Sequence, residues 1–196
     1  YWSPADGRRA GRDRIVDPDR PEEWFQQDEW AGRLRGTGMG LEWAVYAYDG
    51  YWKSPEGFDP MVGRPCFPRL SVYGASARGP IGGGLFSVET GYYDSRDDRE
   101  GTDPMTPNDQ QRFLAGYEWE AARNFQVALQ YYAEILLDYD GYRSMLPSGQ
   151  SARDEVRQVA TLRLTRLLMN QNLILSLFTF YSPTDADGYC RPSLAY

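Results

Sequence analysis

The sequence predicts an all-β chain, an antiparallel up-and-down sheet of about nine long strands, on three observations. The 13 prolines fall in five clusters, Pro4 to Pro21, Pro55 to Pro68, Pro80, Pro104 to Pro147 and Pro183 to Pro192. Between the clusters lie stretches rich in Tyr, Trp, Phe, Val, Leu and Thr, the composition of strands. Apolar and polar residues alternate within them, and the connections between them are alternately short and long.

The first two strands are expected at 28–36 and 41–52, joined by Thr37 to Gly40. Strands at 69–78 and 84–95 follow the long segment Lys53 to Pro68 and flank Gly79 to Gly83. The next pair, 111–120 and 125–138, flanks Ala121 to Asn124 after the polar loop Arg96 to Gln110. Beyond Tyr139 to Asp154 come 155–166 and 172–182 around Leu167 to Gln171, then Pro183 to Gly188 and a last strand from 189. With these boundaries every proline but Pro192 lies outside a strand, as a residue without an N–H should. An aromatic pair leading into a Ser/Pro/Asp loop recurs at Tyr51-Trp52-Lys53-Ser54-Pro55, Tyr92-Tyr93-Asp94-Ser95 and Tyr181-Ser182-Pro183. Tyr1-Trp2-Ser3-Pro4 has the same form, so residues 1–27 are expected to be a polar loop following a missing strand, with the sheet over 28–196.

Alternation is clearest at 125–138, where Phe125, Val127, Leu129, Tyr131, Ala133, Ile135 and Leu137 oppose Gln126, Ala128, Gln130, Tyr132, Glu134, Leu136 and Asp138. A soluble sandwich also alternates. Strand length separates the two: a soluble strand averages about 5–6 residues, whereas a tilted membrane-crossing strand needs about 9–11. Aromatics also gather at both strand ends. Trp43, Phe86, Trp119 and Phe125 stand beside short turns, and Tyr51, Trp52, Tyr92, Tyr93, Phe180 and Tyr181 beside long loops, the two belts that membrane interfaces select. A helical alternative exists for 152–170 and 126–137, which contain good helix formers, but Arg163 breaks the apolar face of the first. The expectation is therefore a transmembrane β-barrel, or part of one, with short periplasmic turns and long extracellular loops.

Composition narrows the chemistry. The chain has 196 residues, a net charge of −7 and no histidine. Serine and cysteine nucleophile systems that use histidine are excluded from these residues, as is His-ligated zinc. Lys53 is the one lysine among 21 basic residues, against 28 acids, and this balance argues against nucleic acid as a partner. No apolar run approaches the 18 or so residues of a transmembrane helix, which leaves a barrel open because its strands need only alternate. The sequence starts without Met or a charged-then-apolar leader, so either a signal peptide has been removed or this is an internal fragment, and the loop-like opening Tyr1-Trp2-Ser3-Pro4 favours the fragment.

Long amphipathic strands, unequal connections and aromatic belts together resemble the porin-like outer-membrane β-barrels of Gram-negative bacteria, of the large uncharacterised type. Leu173-Ile174-Leu175-Ser176-Leu177-Phe178-Thr179-Phe180-Tyr181-Ser182-Pro183-Thr184-Asp185-Ala186-Asp187-Gly188-Tyr189 and Gly91-Tyr92-Tyr93-Asp94-Ser95-Arg96-Asp97-Asp98 look like such barrels. The resemblance is architectural and carries no functional residue across. Such barrels end on a terminal aromatic, here at most Tyr196, and have an even strand number, so nine strands are expected to be a portion of a larger wall.

The function expected is a channel or transport protein of the bacterial outer membrane that passes small hydrophilic solutes without catalysis or cofactor. Its apolar faces would meet outer-membrane lipid and lipopolysaccharide. Its lumen candidates are Glu89, Arg112, Glu118, Gln126, Gln130, Tyr132, Glu134, Arg163 and Ser176. Mixed arginine and glutamate would orient polar solutes, or pair and stiffen the wall. The acids Asp94, Asp97, Asp98, Glu100, Asp103 and Asp109 lack EF-hand spacing and read as a solvated charge run. Arg8 to Arg14 and Arg20 could meet lipid phosphates from a loop. Cys66 and Cys190 belong to distant strands, so no bridge between them is expected. Gly79-Pro80-Ile81-Gly82-Gly83-Gly84 lacks a following Lys and reads as a turn. The alternatives are a soluble β-rich binding protein, or a barrel enzyme whose catalytic residues lie outside these 196.

Overall fold

The computed structural model describes residues 28–61, 63–146, 149 and 151–196. The readings made on 1–27, including the arginine run and Tyr1-Trp2-Ser3-Pro4, lie outside the described residues. Nine strands form one sheet: β1 (Trp30–Gly38), β2 (Leu41–Tyr51), β5 (Arg69–Ile81), β6 (Gly84–Ser95), β7 (Gln110–Ala122), β8 (Phe125–Leu136), β9 (Val156–Leu168), β10 (Leu173–Ser182) and β11 (Asp187–Ala195). Each pairs antiparallel with the strand before and after it in the sheet, in the order β1-β2-β5-β6-β7-β8-β9-β10-β11. The segments with a helical alternative, 126–137 and 152–170, are for the most part strands: alternation with neighbours on both sides outweighs helix propensity.

The short turns follow from backbone chemistry. Met39-Gly40 and Gly82-Gly83 each have positive φ at both positions, the primed turn whose twist matches its flanking strands. Asn124, at φ 58°, closes the β7–β8 turn, its N–H donating to Glu120 Oε1 at 2.7 Å. At the other end the connections carry structure of their own. The β2–β5 loop contains the small hairpin β3 (Gly57–Asp59) and β4 (Arg64–Cys66), and the β8–β9 loop contains the short helix α1 (Tyr139–Met145), about two turns long. Neither was expected, because three-residue strands and a seven-residue helix are too short to show a period. Pro65 and Pro80 also lie within strands, contrary to expectation. Pro80 is tolerated because the pairing of β5 with β2 ends at Arg78, so one side of the strand has no ladder left to supply.

Directly paired residues share a face, and faces alternate along each strand. One face carries Trp43, Val45, Tyr73, Ala75, Val88, Phe113, Val127, Leu129, Leu162, Leu164, Leu175 and Leu177. The strand charges lie on the other face, save Asp49, Arg69 and Asp94 in the last rungs before the long loops and Arg166 near a short turn. No second layer covers the apolar face among the described residues, and only Ala44, Trp52, Leu70, Val127 and Leu136 are buried hydrophobics.

The register is sheared. One line of direct pairs runs Trp43, Ala77, Val88, Ala115, Tyr131, Ala160, Tyr181. It begins at the third residue of β2, next to a short turn, and ends at the ninth of β10, next to a long loop. The line therefore climbs about one residue per strand. With a rise of about 3.3 Å per residue and a spacing of about 4.8 Å between strands, that tilts the strands by about 35° from the perpendicular to the line joining the short turns.

Candidate functional site

The polar face is the candidate site, and all nine predicted lumen residues stand on it. The register brings three together: Arg112 Nε lies 3.3 Å from Glu134 Oε2, and the Tyr132 hydroxyl donates to the same carboxylate oxygen at 2.7 Å. Arg112 also donates to Gln110 Oε1 through Nε and Nη2, at 3.0 and 2.5 Å, and its guanidinium lies 4.1 Å from the centre of the Tyr93 ring. Gln110 and Tyr93 were missed as its partners, because a cross-strand contact needs the register as well as the alternation. The other predicted residues are spread across the face. Gln130 meets Thr161 at 3.5 Å, Ser176 and Ser193 share a hydrogen bond at 2.8 Å, and Arg163 lies 6.0 Å from the Phe178 ring centre. Glu89 is paired across the sheet with Ser76 and Leu114, Glu118 with Leu85 and Ala128, and Gln126 with Glu120 and Thr165.

Alternation carried back to the first strands adds residues not anticipated. Arg33 and Arg35 of β1, Glu42 and Tyr46 of β2 and Arg78 of β5 share this face. Arg78 donates to Glu42 at 2.8 Å, the Arg33 guanidinium lies 5.3 Å from the Tyr46 ring centre, and the Tyr46 and Ser76 hydroxyls meet at 3.0 Å.

Of the predicted interface aromatics, Trp43, Tyr51, Phe86, Tyr92, Trp119, Phe125 and Tyr181 are on the apolar face, near its two ends. Tyr93, Phe180 and Trp52 are not. Trp52 lies one residue past the end of β2, is 5% exposed, and stacks on Tyr93 of the polar face at 5.9 Å. Alternation governs a side chain only while the strand continues, so the residue after Tyr51 was free to turn under the loops. Several polar groups on the apolar face have protein partners. The Tyr131 hydroxyl donates to Gln158 at 2.6 Å, Gln111 donates to Thr90 at 2.7 Å, and Tyr117 donates to the Ile81 carbonyl at 2.8 Å.

The acidic segment 94–109 is in part the solvated run expected, with Asp97, Glu100 and Asp103 exposed, and in part a set of clasps. Asp98 is 8% exposed and accepts from the Thr102 and Asp103 N–H groups at 3.0 and 2.7 Å. Asp97 accepts from the Arg69 N–H at 2.7 Å. Asp109 takes the Tyr92 hydroxyl at 2.5 Å and the Ser95 N–H at 2.7 Å. Burial pushes the Asp109 carboxyl above the ordinary aspartate range, although both hydrogen bonds pull it down. Asp185, in the β10–β11 loop, goes the other way: the Ser182 hydroxyl at 2.7 Å and Arg157 at 3.4 Å hold its carboxyl low. No group of three or more metal-ligating side chains occurs among the described residues. Cys66 in β4 and Cys190 in β11 do not form a disulfide with each other.

No protein-family model matches the chain, and no curated protein or solved structure matches it significantly.

Proposed function

We propose that this sheet is part of the wall of an outer-membrane β-barrel channel, with its apolar face against lipid and lipopolysaccharide and its polar face along a path for small hydrophilic solutes. The observation that carries the reading is the uncovered apolar face, uncharged between its end rungs, backed by a face of arginine, glutamate and amides. A soluble sheet hides such a face under a second layer. The shear supports the same reading, since a stagger of this size gives the strand tilt of closed barrels, about 35–45°. Along β8 the face runs from Phe125 to Ile135, about 34 Å of strand, which at that tilt spans roughly 26 Å, close to the apolar band of such barrels.

Topology adds a constraint. In a meander of nine strands, β1 and β11 run in the same direction. A closed, wholly antiparallel wall containing them needs an odd number of further strands, and a water-filled lumen needs roughly 16 or more in all. The test is extraction and conductance. The full-length protein is expected in the detergent phase, with heat-modifiable gel migration, and to give stepwise currents in planar bilayers. Recovery in the aqueous phase without detergent would contradict the membrane reading, and insertion without current would contradict the channel.

A further inference from the structure

The arginines of the polar face are not equivalent. Arg78, Arg112 and Arg157 each have a carboxylate within 3.4 Å, from Glu42, Glu134 and Asp185. Arg33 and Arg35 share their concavity with Glu42 and Glu89. Among the described residues Arg163 and Arg191 have neither arrangement. The register sets them on one rung, Arg163–Phe178–Arg191; the acid on this face of β9 to β11 is Asp187, at the loop end, and the acid where the rung continues is Glu118 of β7, beyond Ala128 and not in an ion pair with Arg163. The rung forms a concavity of about 540 Å³ with the hydroxyl rung Thr165–Ser176–Ser193.

Aromatic rings crowd the same place. Phe178 and Phe180 lie 5.9 and 5.4 Å from Tyr189, ring centre to ring centre, and the second pair is stacked. A wall facing water alone has no use for three clustered rings, because a lumen surface is polar. Next to two cations without a carboxylate they have one: a flat apolar body can rest on rings while its charged end is held by guanidinium forks. Arg163 and Arg191 stand two strand spacings apart, about 9.6 Å at the backbone, within reach of one oxyanion above Phe178.

We propose that this rung is a subsite for an organic carboxylate with a flat apolar body, the carboxylate between Arg163 and Arg191 and the body over Phe178 and Tyr189. The proposal rests on the polar face lining a solute path and names the class of solute that path retains. Benzoate is the probe, acetate the anion without a ring and benzyl alcohol the ring without a charge, each added to chloride currents through the full-length protein in planar bilayers. Benzoate is expected to reduce the current at concentrations where the other two do not. Arg163→Gln with Arg191→Gln is expected to raise the half-blocking concentration at least about tenfold, and Arg163→Lys with Arg191→Lys by less, since charge without the fork is retained. Phe178→Leu is expected to raise the half-blocking concentration of benzoate by a larger factor than that of acetate. Absence of any current would remove the channel reading and the subsite with it. A current that benzoate leaves unaltered, or blocks equally in wild type and the glutamine and lysine variants, would overturn the subsite alone.

Discussion

Between its turns the sheet leaves Leu129 47% exposed and Phe113 45% exposed, whereas its long-loop end buries Ser95 completely and Asp109 to 6%. Large apolar side chains lie open where the strands are most regular, and polar ones are sealed where the chain is least regular. A water-soluble domain does the reverse. The difference shows two sources of stability in one chain. The sheet depends on what meets its apolar face, and the loop end pairs its buried Asp98 and Asp109 carboxylates internally, although Trp52 Nε1, Asp94 Oδ1 and Ser95 Oγ are buried there without a partner among the described residues. The loops are also tied to one another: Phe58 N–H donates to the Met105 carbonyl at 3.0 Å and Leu137 N–H to the Asp109 carbonyl at 2.9 Å.

The largest effect that would break this comparison comes from a charge in the wall. Leu129→Arg, near the middle of β8 on the apolar face, is expected to cost about 2–4 kcal/mol of folding stability in lipid vesicles, while Gln130→Arg, one residue on, is expected to cost little. Equal costs, measured by denaturant titration of heat-modifiable migration, would mean that the two faces meet the same medium. Next comes the loop end. Asp109→Ala leaves the Ser95 N–H and the Tyr92 hydroxyl without their acceptor and is expected to cost about 1–3 kcal/mol, with Asp109→Asn milder because its amide oxygen still accepts. Smaller again is the pair across the polar face. A double-mutant cycle on Arg112 and Glu134, both about a quarter exposed, is expected to give a coupling of about 1 kcal/mol or less.

Acidification sharpens the contrast between two loops. Asp109 is raised by burial, so the folded chain holds that proton more tightly than the unfolded one. Its contribution to stability therefore grows as the pH falls through the raised value toward the ordinary 3.8, and shrinks as the pH rises. Asp185 is lowered, so its contribution is complete above 3.8 and is lost as the pH falls below that. Amide exchange corrected for intrinsic rate should show the Ser95 amide no less protected at pH 4.5 than at pH 7, and the Asp185 amide losing protection only below pH 4.

Much of this was legible in the sequence. The strand expected at 84–95 is β6 residue for residue, and the others differ by a few residues at their ends. Period-two alternation over nine or more residues leaves little choice of element, and proline and glycine fix where each strand stops. The same alternation put all nine lumen candidates on one face, since each lies within a strand. What could not be read needed the register or lay past a strand end. Arg112 meets Glu134 because β7 and β8 pair Arg112 with Glu134, a relation no single strand displays. Trp52 joined the girdle on sequence proximity, but one residue beyond β2 its direction was set by the loop packing. The acids of 94–109 have the composition of a solvated run. Their use as clasps depends on backbone N–H groups that a loop presents only once folded.

The central claim is that alternate residues of the wall face lipid and water. Spin labels placed singly along β8, from Phe125 to Leu136, on a full-length background with Cys66 and Cys190 replaced by serine, test it directly in reconstituted vesicles. Labels at 125, 127, 129, 131, 133 and 135 are expected to relax with dissolved oxygen, and those at 126, 128, 130, 132 and 134 with a water-soluble nickel complex, in strict alternation. Equal access of the nickel complex to both sets would contradict the account.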